Sequence, residues 1–300
     1  MKTRAPGKVV LTGAYSVLED APAIVTAVDR YVTVDSQRSG SYFPDEARAA
    51  AFDAPYWFDA SRLRRDDRKL GLGSSAAILL AMLAARELER RPTDNAIELR
   101  ERIFLPALRA HRVAQAGGSG IDVAACCFGG TLKFERGLEV PDFRPISLPR
   151  GITIEIWSST VEASTRGLLA KVLELKKRNR KVYDTHLDAQ ASASCAAIAA
   201  CVSADPSSFV AAIQAQRVAL THLGLAAGAD IVTEEVQALA KVAERHGGAV
   251  IPAGAGGGDI ALYVGNQPSF ELDGALVEQR HVRLDLSLGA EGVHSIPDEC

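Results

Sequence analysis

Residues 69–77 read KLGLGSSAA, and this short stretch decides which kind of fold the chain adopts. Its glycines come directly before Ser74–Arg90, a run that begins with two serines, is rich in Ala, Leu and Met, and has charges only toward its end. Such a run is typical of a mostly buried helix that begins with a small polar residue. Because the N–H groups of a glycine loop and a helix N-terminus can converge on an anion, the sequence predicts a phosphate-binding loop.

This loop differs from two common nucleotide-binding motifs. It lacks the GxxxxGK[ST] pattern of a Walker A loop, and it lacks the third glycine and the strand context of a dinucleotide fingerprint. The alternative interpretation is a structural glycine cap that binds nothing.

Composition narrows the class of protein. Three hundred residues with 47% hydrophobic and 24% charged content can bury a large core, either in one large or in two moderate domains. A net charge of −3 argues against a nucleic-acid partner, because binding to the phosphate backbone needs an excess of clustered Lys and Arg. The N-terminal stretch lacks the apolar run of a secretory signal, and the five cysteines show no CxxC spacing. We therefore expect a cytoplasmic protein without membrane attachment.

Periodicity and turn residues predict a mixed α and β chain. The predicted strands are Lys8–Thr12, Ala23–Asp35, Gly151–Ser158, Ala249–Pro252, Ile260–Val264 and Arg280–Leu286. The predicted helices are Ser74–Arg90, Asp94–Ala116 with a break or kink at Pro106, one beginning near Asp122, Arg166–Ala200, Pro206–Leu223, Ala229–His246 and a short one at Ser269–Glu278. Hairpins and loops are expected between residues 39 and 69. Three prolines between residues 141 and 149 indicate a domain boundary there.

Two further motifs lie far from the glycine loop. Residues 5–18 read APGKVVLTGAYSVL, and residues 251–259 read IPAGAGGGD. Together with GLGSSAA, in this order, they resemble the galactokinase, homoserine kinase, mevalonate kinase and phosphomevalonate kinase (GHMP) superfamily. The resemblance implies a two-domain α+β fold with an N-terminal ATP-binding domain at 1–148 and a C-terminal ferredoxin-like domain at 149–300. It also implies a left-handed βαβ unit in the first domain, against the usual right-handed preference, and substrates that meet between the domains.

Three segments are more similar to phosphomevalonate kinases than to their relatives. Gly13-Ala14-Tyr15 is similar to their Gly-Gly-Tyr, whereas mevalonate kinases typically have Gly-Glu-His there. Residues 110–130, AHRVAQAGGSGIDVAACCFGG, resemble their AH-x-x-AQ and GSG-x-DVA pattern, and residues 157–169, WSSTVEASTRGLL, resemble their Trp, Ala-Ser-Thr, Leu segment. The resemblance implies transfer of the γ-phosphate of ATP to (R)-5-phosphomevalonate, a small phosphorylated acceptor, in isoprenoid precursor synthesis.

Asp122 is the candidate catalytic base. It follows a Gly-Ser-Gly turn at the start of a predicted helix, where the helix dipole and N–H donors favour an ionised carboxylate. The resemblance implies that Asp122 accepts a proton from the attacking oxygen or orients that oxygen, and that Lys8 stabilises the carboxylate and the developing phosphoryl charge. The alternatives are a simple helix cap and a solvated lysine.

The resemblance also assigns binding residues. The residues for ATP are Lys69, Gly71, Leu72, Gly73, Ser74, Ser75 and Ala76, and the hydroxyl of Ser75 is the candidate Mg²⁺ ligand. The residues for the acceptor are Tyr15, Ser119, Gly120, Ser164, Thr165, Arg166, Gly254, Ala255, Gly256 and Gly257. The basic run between Lys171 and Lys181 is interpreted as a solvated helix face, with an electropositive funnel as the alternative.

The sequence departs from the family at two places. Mevalonate kinases have a Mg²⁺-binding glutamate upstream of the catalytic aspartate, whereas this chain has Ala110-His111-Arg112. The segment before the glycine loop is short, so no adenine-binding residue is assigned. A mevalonate or sugar kinase, a diphosphomevalonate decarboxylase and a non-catalytic metabolite sensor stay open as alternatives, as does a monomer or a homodimer.

Overall fold

The structure is a computed structural model that describes residues 1–65, 68–115, 117–159, 164–268 and 270–297. Within these ranges, helices α1 to α9 span Asp45–Ala49, Ser74–Arg90, Ala96–Ala114, Ile121–Phe128, Thr165–Arg178, Arg180–Ser203, Pro206–Ala227, Glu234–Arg245 and Phe270–Glu278. Strands β1 to β12 span Lys2–Thr12, Ala23–Ser39, Tyr56–Asp59, Arg64–Arg65, Arg68–Lys69, Thr131–Glu135, Asp142–Pro145, Thr153–Ser158, Ala249–Pro252, Ile260–Gly265, Val282–Arg283 and His294–Ser295.

The chain divides into two compact units. The first unit comprises Met1–Val9, Val25–Pro145 and Leu286–Cys300, and the second comprises Val10–Ile24 and Ile146–Asp285. A short segment from each half of the sequence thus belongs to the unit formed mainly by the other half. Continuous domains at 1–148 and 149–300 stay a prediction from the resemblance.

The first unit packs helices against a sheet of order β12-β1-β2-β6-β7, with β3 also paired to β2. Helix α2 packs against α1, α3 and α4. Its Ala, Leu and Met side chains are buried nearly all round, which explains why the run is apolar without a polar stripe. Helix α2 has the predicted bounds, Ser74–Arg90.

The second unit contains a four-stranded sheet of order β11-β8-β10-β9. Its central strand β10 is antiparallel to β8, with Tyr263 opposite Glu155, and antiparallel to β9, with Leu262 opposite Ile251. Helices α7 and α8 pack against β9. Every residue of β10 is buried, as expected for a strand covered on both faces. The predicted α+β class of the GHMP kinase type is confirmed.

Several helix predictions differ from the structure in detail. Helix α8 begins at Glu234 rather than at the predicted Ala229. Pro106 lies inside α3 without ending it, so the predicted break is wrong, whereas a kink stays a prediction. Because Pro106 is exposed, the hydrogen bond that it cannot make falls on the solvent side. The predicted helix over 166–200 is two helices, because Asn179 caps the end of α5 and accepts a hydrogen bond from the Val182 N–H of α6. Among the helices that the structure describes, none has both the length and the apolar character needed to cross a membrane.

Candidate active site

Lys8 and Asp122 form an ion pair in the first unit. Nζ of Lys8 lies 3.4 Å from Oδ1 of Asp122, and the side chains are 9% and 30% exposed. Strand β1 carries Lys8, and the first turn of α4 carries Asp122. The fold therefore brings together the two residues that the resemblance assigns to catalysis, with the carboxylate still partly open to a ligand.

The start of α4 needs glycine at position 120. Gly120 has a φ of 86°, and a Cβ atom there would lie 2.3 Å from Cδ1 of Leu108. Oγ of Ser119 accepts a hydrogen bond from the Ile121 N–H at 3.3 Å. Both residues were predicted to bind the acceptor, and the structure shows that they also shape the turn that orients Asp122.

The glycine loop lies against Lys8. The Lys8 N–H donates to the Leu72 carbonyl at 2.8 Å, and Nζ is 3.5 Å from the Gly71 carbonyl, a long contact. Gly71 and Gly73 have φ values of 69° and 78°, which favour glycine. A Cβ on Gly73 would lie 2.8 Å from Cε of Lys8. The loop and the Lys8–Asp122 pair are therefore one connected site.

The N-terminus of α2 is suited to an anion. Gly73 is the N-cap residue, and no side chain in the described part of the chain caps the first turn. Ser74 is buried and Ser75 is half-buried, so the Ser75 hydroxyl and the first-turn N–H groups can reach a bound phosphate. Leu72 and Ala76 are buried and anchor the loop in the core.

Lys69 lies on a small basic hairpin. Strand β5 pairs with β4 so that Lys69 is opposite Arg64, and both side chains are exposed. The role of Lys69 in binding a phosphate stays a prediction.

Sequence reasoning did not select His111, which lies near the Lys8–Asp122 pair. It is buried on α3, and within the described ranges its Nδ1 has no hydrogen-bond partner. Burial lowers the pKa of His111, while the charges of Asp122 and Glu46 act to raise it and that of Lys8 acts to lower it. The ring is therefore neutral at pH 7. The only signal in the sequence was its place in the AH-x-x-AQ motif.

In the second unit, two predicted acceptor-binding segments touch. The Tyr15 hydroxyl donates a hydrogen bond to the Ala255 carbonyl at 2.7 Å. Burial raises the pKa of Tyr15, so the hydroxyl keeps its proton and remains a donor. The neighbouring Gly254, Gly256 and Gly257 all have positive φ, and a Cβ on Gly256 would lie 2.1 Å from the Ile231 carbonyl oxygen. The loop conformation therefore requires its glycines.

The other predicted acceptor-binding segment of the second unit, residues 164–166, lies at the start of α5. Oγ of Ser164 accepts a hydrogen bond from the Gly167 N–H at 3.1 Å, so Ser164 is the helix cap. Thr165 and Arg166 are exposed in the first turn, where a helix N-terminus favours an anion. Residues 160–163 of the same segment lie outside the described residues.

Part of the basic run on α5 and α6 has structural contacts. Lys171 Nζ donates to the Gly228 carbonyl and Arg178 Nη2 donates to the Ala226 carbonyl, each at 3.0 Å, at the C-terminal end of α7. Lys176 pairs with Glu19. These cations therefore contact a helix end and a loop of the second unit. Five of the six cations of the run are nevertheless exposed, in agreement with the predicted solvated helix face, and the funnel stays an untested alternative.

Comparison with known proteins agrees with this geometry. Residues 64–130, which include the glycine loop and Asp122, match the family model "GHMP kinases N terminal domain". Over this stretch the chain is similar to the GHMP kinases. Its kinase relatives support the assignment of the chain as a phosphotransferase.

The relatives of this chain are named for two related acceptors. The chain is 26% identical over 338 aligned residues to the phosphomevalonate kinase of Streptomyces sp. (strain CL190), covering 86% of this chain and 88% of the relative. It is 28% identical over 208 residues to the mevalonate kinase of Archaeoglobus fulgidus, covering 63% and 69%. The structure of Streptococcus pneumoniae phosphomevalonate kinase in complex with phosphomevalonate and AMPPNP has a TM-score of 0.76 at 15% identity, covering 96% and 99%.

Proposed function

We propose that this chain is a GHMP kinase that transfers the γ-phosphate of ATP to (R)-5-phosphomevalonate, giving ADP and 5-diphosphomevalonate. The observation that carries the proposal is the Lys8–Asp122 pair beside an uncapped helix N-terminus, in a chain whose likeness to the Streptomyces phosphomevalonate kinase extends over 86% of its length. A paired carboxylate next to a phosphate cradle is the arrangement that phosphoryl transfer needs.

The glycine loop is the proposed site for the phosphates of ATP. Positive φ at Gly71 and Gly73 and the uncapped first turn of α2 leave N–H groups for phosphate oxygens, and a side chain at Gly73 would collide with Lys8. The residues present therefore fit the nucleotide phosphates. The AMPPNP named with the pneumococcal structure is consistent with this use of the loop.

Mg²⁺ fits this site if its ligands are the Ser75 hydroxyl, phosphate oxygens and water rather than a cluster of carboxylates. The described residues contain no group of three or more His, Cys, Asp and Glu side chains that could hold a metal ion. The Ser75 hydroxyl lies at the loop, and Mg²⁺ commonly keeps several waters and binds through substrate phosphates. When bound, Mg²⁺ would neutralise charge on the phosphate oxygens.

The ionisation of the acceptor decides what Asp122 contributes. A phosphate monoester has a second pKa of about 6, so most of it is already a dianion at pH 7. Asp122 would then orient the acceptor and take up the proton of the remaining monoanion, whereas a hydroxyl acceptor would depend on it as a base throughout. Lys8 would hold the carboxylate in place and stabilise negative charge that develops on the transferred group.

Acceptor recognition is proposed for the segments of the second unit. Tyr15, Ala255 and the neighbouring glycines would shape the pocket around the acceptor. Arg166 would bind its phosphate through the planar guanidinium, which matches oxyanions in a bidentate manner. The second candidate function is phosphorylation of mevalonate, because mevalonate kinases also appear among the relatives.

A coupled assay of ADP release tests the proposal. The purified chain is supplied with MgATP and, in separate reactions, phosphomevalonate, mevalonate, diphosphomevalonate or a sugar. We expect turnover above background with phosphomevalonate, and CO₂ release with diphosphomevalonate would instead indicate a decarboxylase. Turnover with mevalonate and with no other acceptor would identify mevalonate as the substrate, and the proposal that the chain is a kinase would stand.

A further inference from the structure

A group of buried polar side chains lies in and against residues 13–22, the loop between β1 and β2 that carries Tyr15. Oγ1 of Thr12 and Oγ of Ser194 are 2.7 Å apart, and Oγ1 of Thr12 also accepts the Ile24 N–H at 3.1 Å. The group belongs entirely to the second unit, and each member is at most 1% exposed: Thr12, Ser16, Gln190, Ser194 and Gln216. Polar side chains this deeply buried are uncommon, and those that are found are usually hydrogen-bonded.

Gln216 connects helix α7 to the backbone of the loop. With its amide oriented so that both atoms are satisfied, Gln216 donates to the main-chain carbonyl of Gln190 and accepts from the Gly13 N–H, each at 3.0 Å. Gly13 has a φ of 78°, and a Cβ there would lie 2.6 Å from Cβ of Ala23. One side chain therefore fixes the backbone just before Tyr15.

Helix α6 follows the loop along one buried stripe. Tyr183, Leu187, Gln190 and Ser194 share a helical face and are all buried. The Tyr183 hydroxyl donates to Oε1 of Glu19 at 2.8 Å, and Ser194 contacts Thr12 as described above. The stripe therefore contacts Glu19 of the loop at one end and Thr12, the residue just before the loop, at the other.

Stability alone does not explain this group. Among the described residues, Oγ of Ser16 and both side-chain polar atoms of Gln190 have no hydrogen-bond partner. A buried polar group without a partner destabilises the fold, whereas apolar side chains of similar volume would pack there without that cost. What the polar contacts add is one specific placement of the loop relative to α6 and α7.

We propose that Gln216, supported by the Thr12–Ser194 contact, is a positioning residue for acceptor binding. It holds Gly13 so that the hydroxyl of Tyr15 reaches the Ala255 carbonyl and the acceptor pocket keeps its shape. This inference rests on the proposed function, which assigns Tyr15 and Ala255 to acceptor binding. The helices beneath the loop thus take part in acceptor selection without touching the acceptor.

Gln216→Met tests the inference against Gln214→Met. Both glutamines lie on α7 and both donate to a main-chain carbonyl, but Gln214 bonds Gly248 at 2.8 Å, away from the Tyr15 loop. We expect Gln216→Met to raise KM for the acceptor about tenfold while KM for ATP changes less than about twofold, because one hydrogen bond to the loop is lost. Gln214→Met should leave both KM values close to those of the original chain.

Amide hydrogen exchange provides a readout that needs no acceptor. In Gln216→Met the Gly13 amide should exchange faster than in the original chain and in Gln214→Met. Ser194→Ala, a smaller change that removes the partner of Thr12, should act in the same direction and serves if Gln216→Met does not fold. Unchanged exchange at Gly13 in the folded variants would overturn the positioning role whatever the acceptor is.

Tyr15→Phe separates failure of this inference from failure of the proposed function. A raised acceptor KM in Tyr15→Phe with none in Gln216→Met would overturn the positioning role and leave Tyr15 in acceptor binding. Faster Gly13 exchange in Gln216→Met with normal acceptor KM in Tyr15→Phe would show that the glutamine holds the loop but that the loop does not bind the acceptor. That second result would overturn the link to acceptor selection.

Discussion

Nζ of Lys8 lies 3.4 Å from Oδ1 of Asp122, so two motifs that are far apart in the sequence meet in one ion pair. Lys8 is almost fully buried, and a buried cation needs a nearby anion to offset the loss of hydration. The same lysine contacts the glycine loop through its backbone N–H. A substitution at Lys8 or Asp122 should therefore lower activity more than a substitution in one of the surface ion pairs of this chain.

Asp122→Asn should lower turnover by about 10²-fold or more, because the amide keeps the shape of the carboxylate but removes the charge that pairs with Lys8 and orients the acceptor, and it cannot take a proton from the monoanion. ATP affinity should stay nearly unchanged. Steady-state kinetics and nucleotide titration measure the two effects. Asp184→Asn is the matched control, since Asp184 pairs with Arg180 on an exposed helix face. Near-normal turnover in Asp122→Asn would remove Asp122 from the mechanism.

Gly73→Val should weaken MgATP binding, because the added side chain collides with Lys8 and crowds the approach of phosphate to the loop. Ser75→Ala should weaken it less, through loss of one hydroxyl oxygen. Titration with a fluorescent nucleotide measures both. Gly247→Val is the control, because Gly247 has a similar φ of 74° but open space around its Cβ position. Unchanged affinity in both loop variants would make 69–77 a structural cap.

An acceptor that already carries a phosphate should be strongly preferred. Charge-assisted hydrogen bonds from the Arg166 guanidinium to that phosphate would contribute about 1.5–3 kcal/mol each, and two of them, as in a bidentate contact, correspond to roughly 10²–10⁴-fold discrimination. The ratio of kcat/KM for phosphomevalonate and mevalonate measures it on one preparation. Arg166→Gln should reduce the ratio. Arg150→Gln, at another exposed arginine, is the control and should leave the ratio unchanged. Equal values for the two acceptors would argue against phosphomevalonate as the substrate.

His111 should make stability depend on pH on the acid side. Burial lowers its pKa in the folded chain, whereas the unfolded chain takes up the proton near pH 6.5. The stability from the neutral ring is therefore fully present above about pH 6.5 and is lost as the pH falls toward the lower folded-state pKa. Urea unfolding of His111→Gln at several pH values should show a shallower acid-side loss. Parallel profiles for the variant and the original chain would contradict this.

Gln190→Met should raise the free energy of unfolding by about 1–3 kcal/mol, because it removes a buried amide that has no partner among the described residues. The main-chain carbonyl that accepts from Gln216 remains, so acceptor KM should not change. Urea unfolding measures the gain. A loss of stability would mean that the amide is already satisfied, for instance by a bound water.

Local patterns in the sequence were sufficient for several elements. The bounds of α2 and β9 agree with those predicted, and α7 begins at Pro206 as expected, after Asp205 caps its first turn. These elements depend on side-chain periodicity and on capping residues next to them in the chain. The short strands β6, β7 and β12 were not predicted, because each is defined mainly by the strand beside it.

The sequence by itself determined the glycine loop before α2, the α+β class and the family resemblance, since glycine placement and apolar runs are local properties. The resemblance already placed Lys8 beside Asp122, as the structure shows. Only the tertiary structure decided that His111 lies buried near them and that Tyr15 bonds Ala255. These contacts join segments far apart in the chain. Their partners depend on how the whole core packs, and a periodic pattern contains no information on which distant residue a side chain will face.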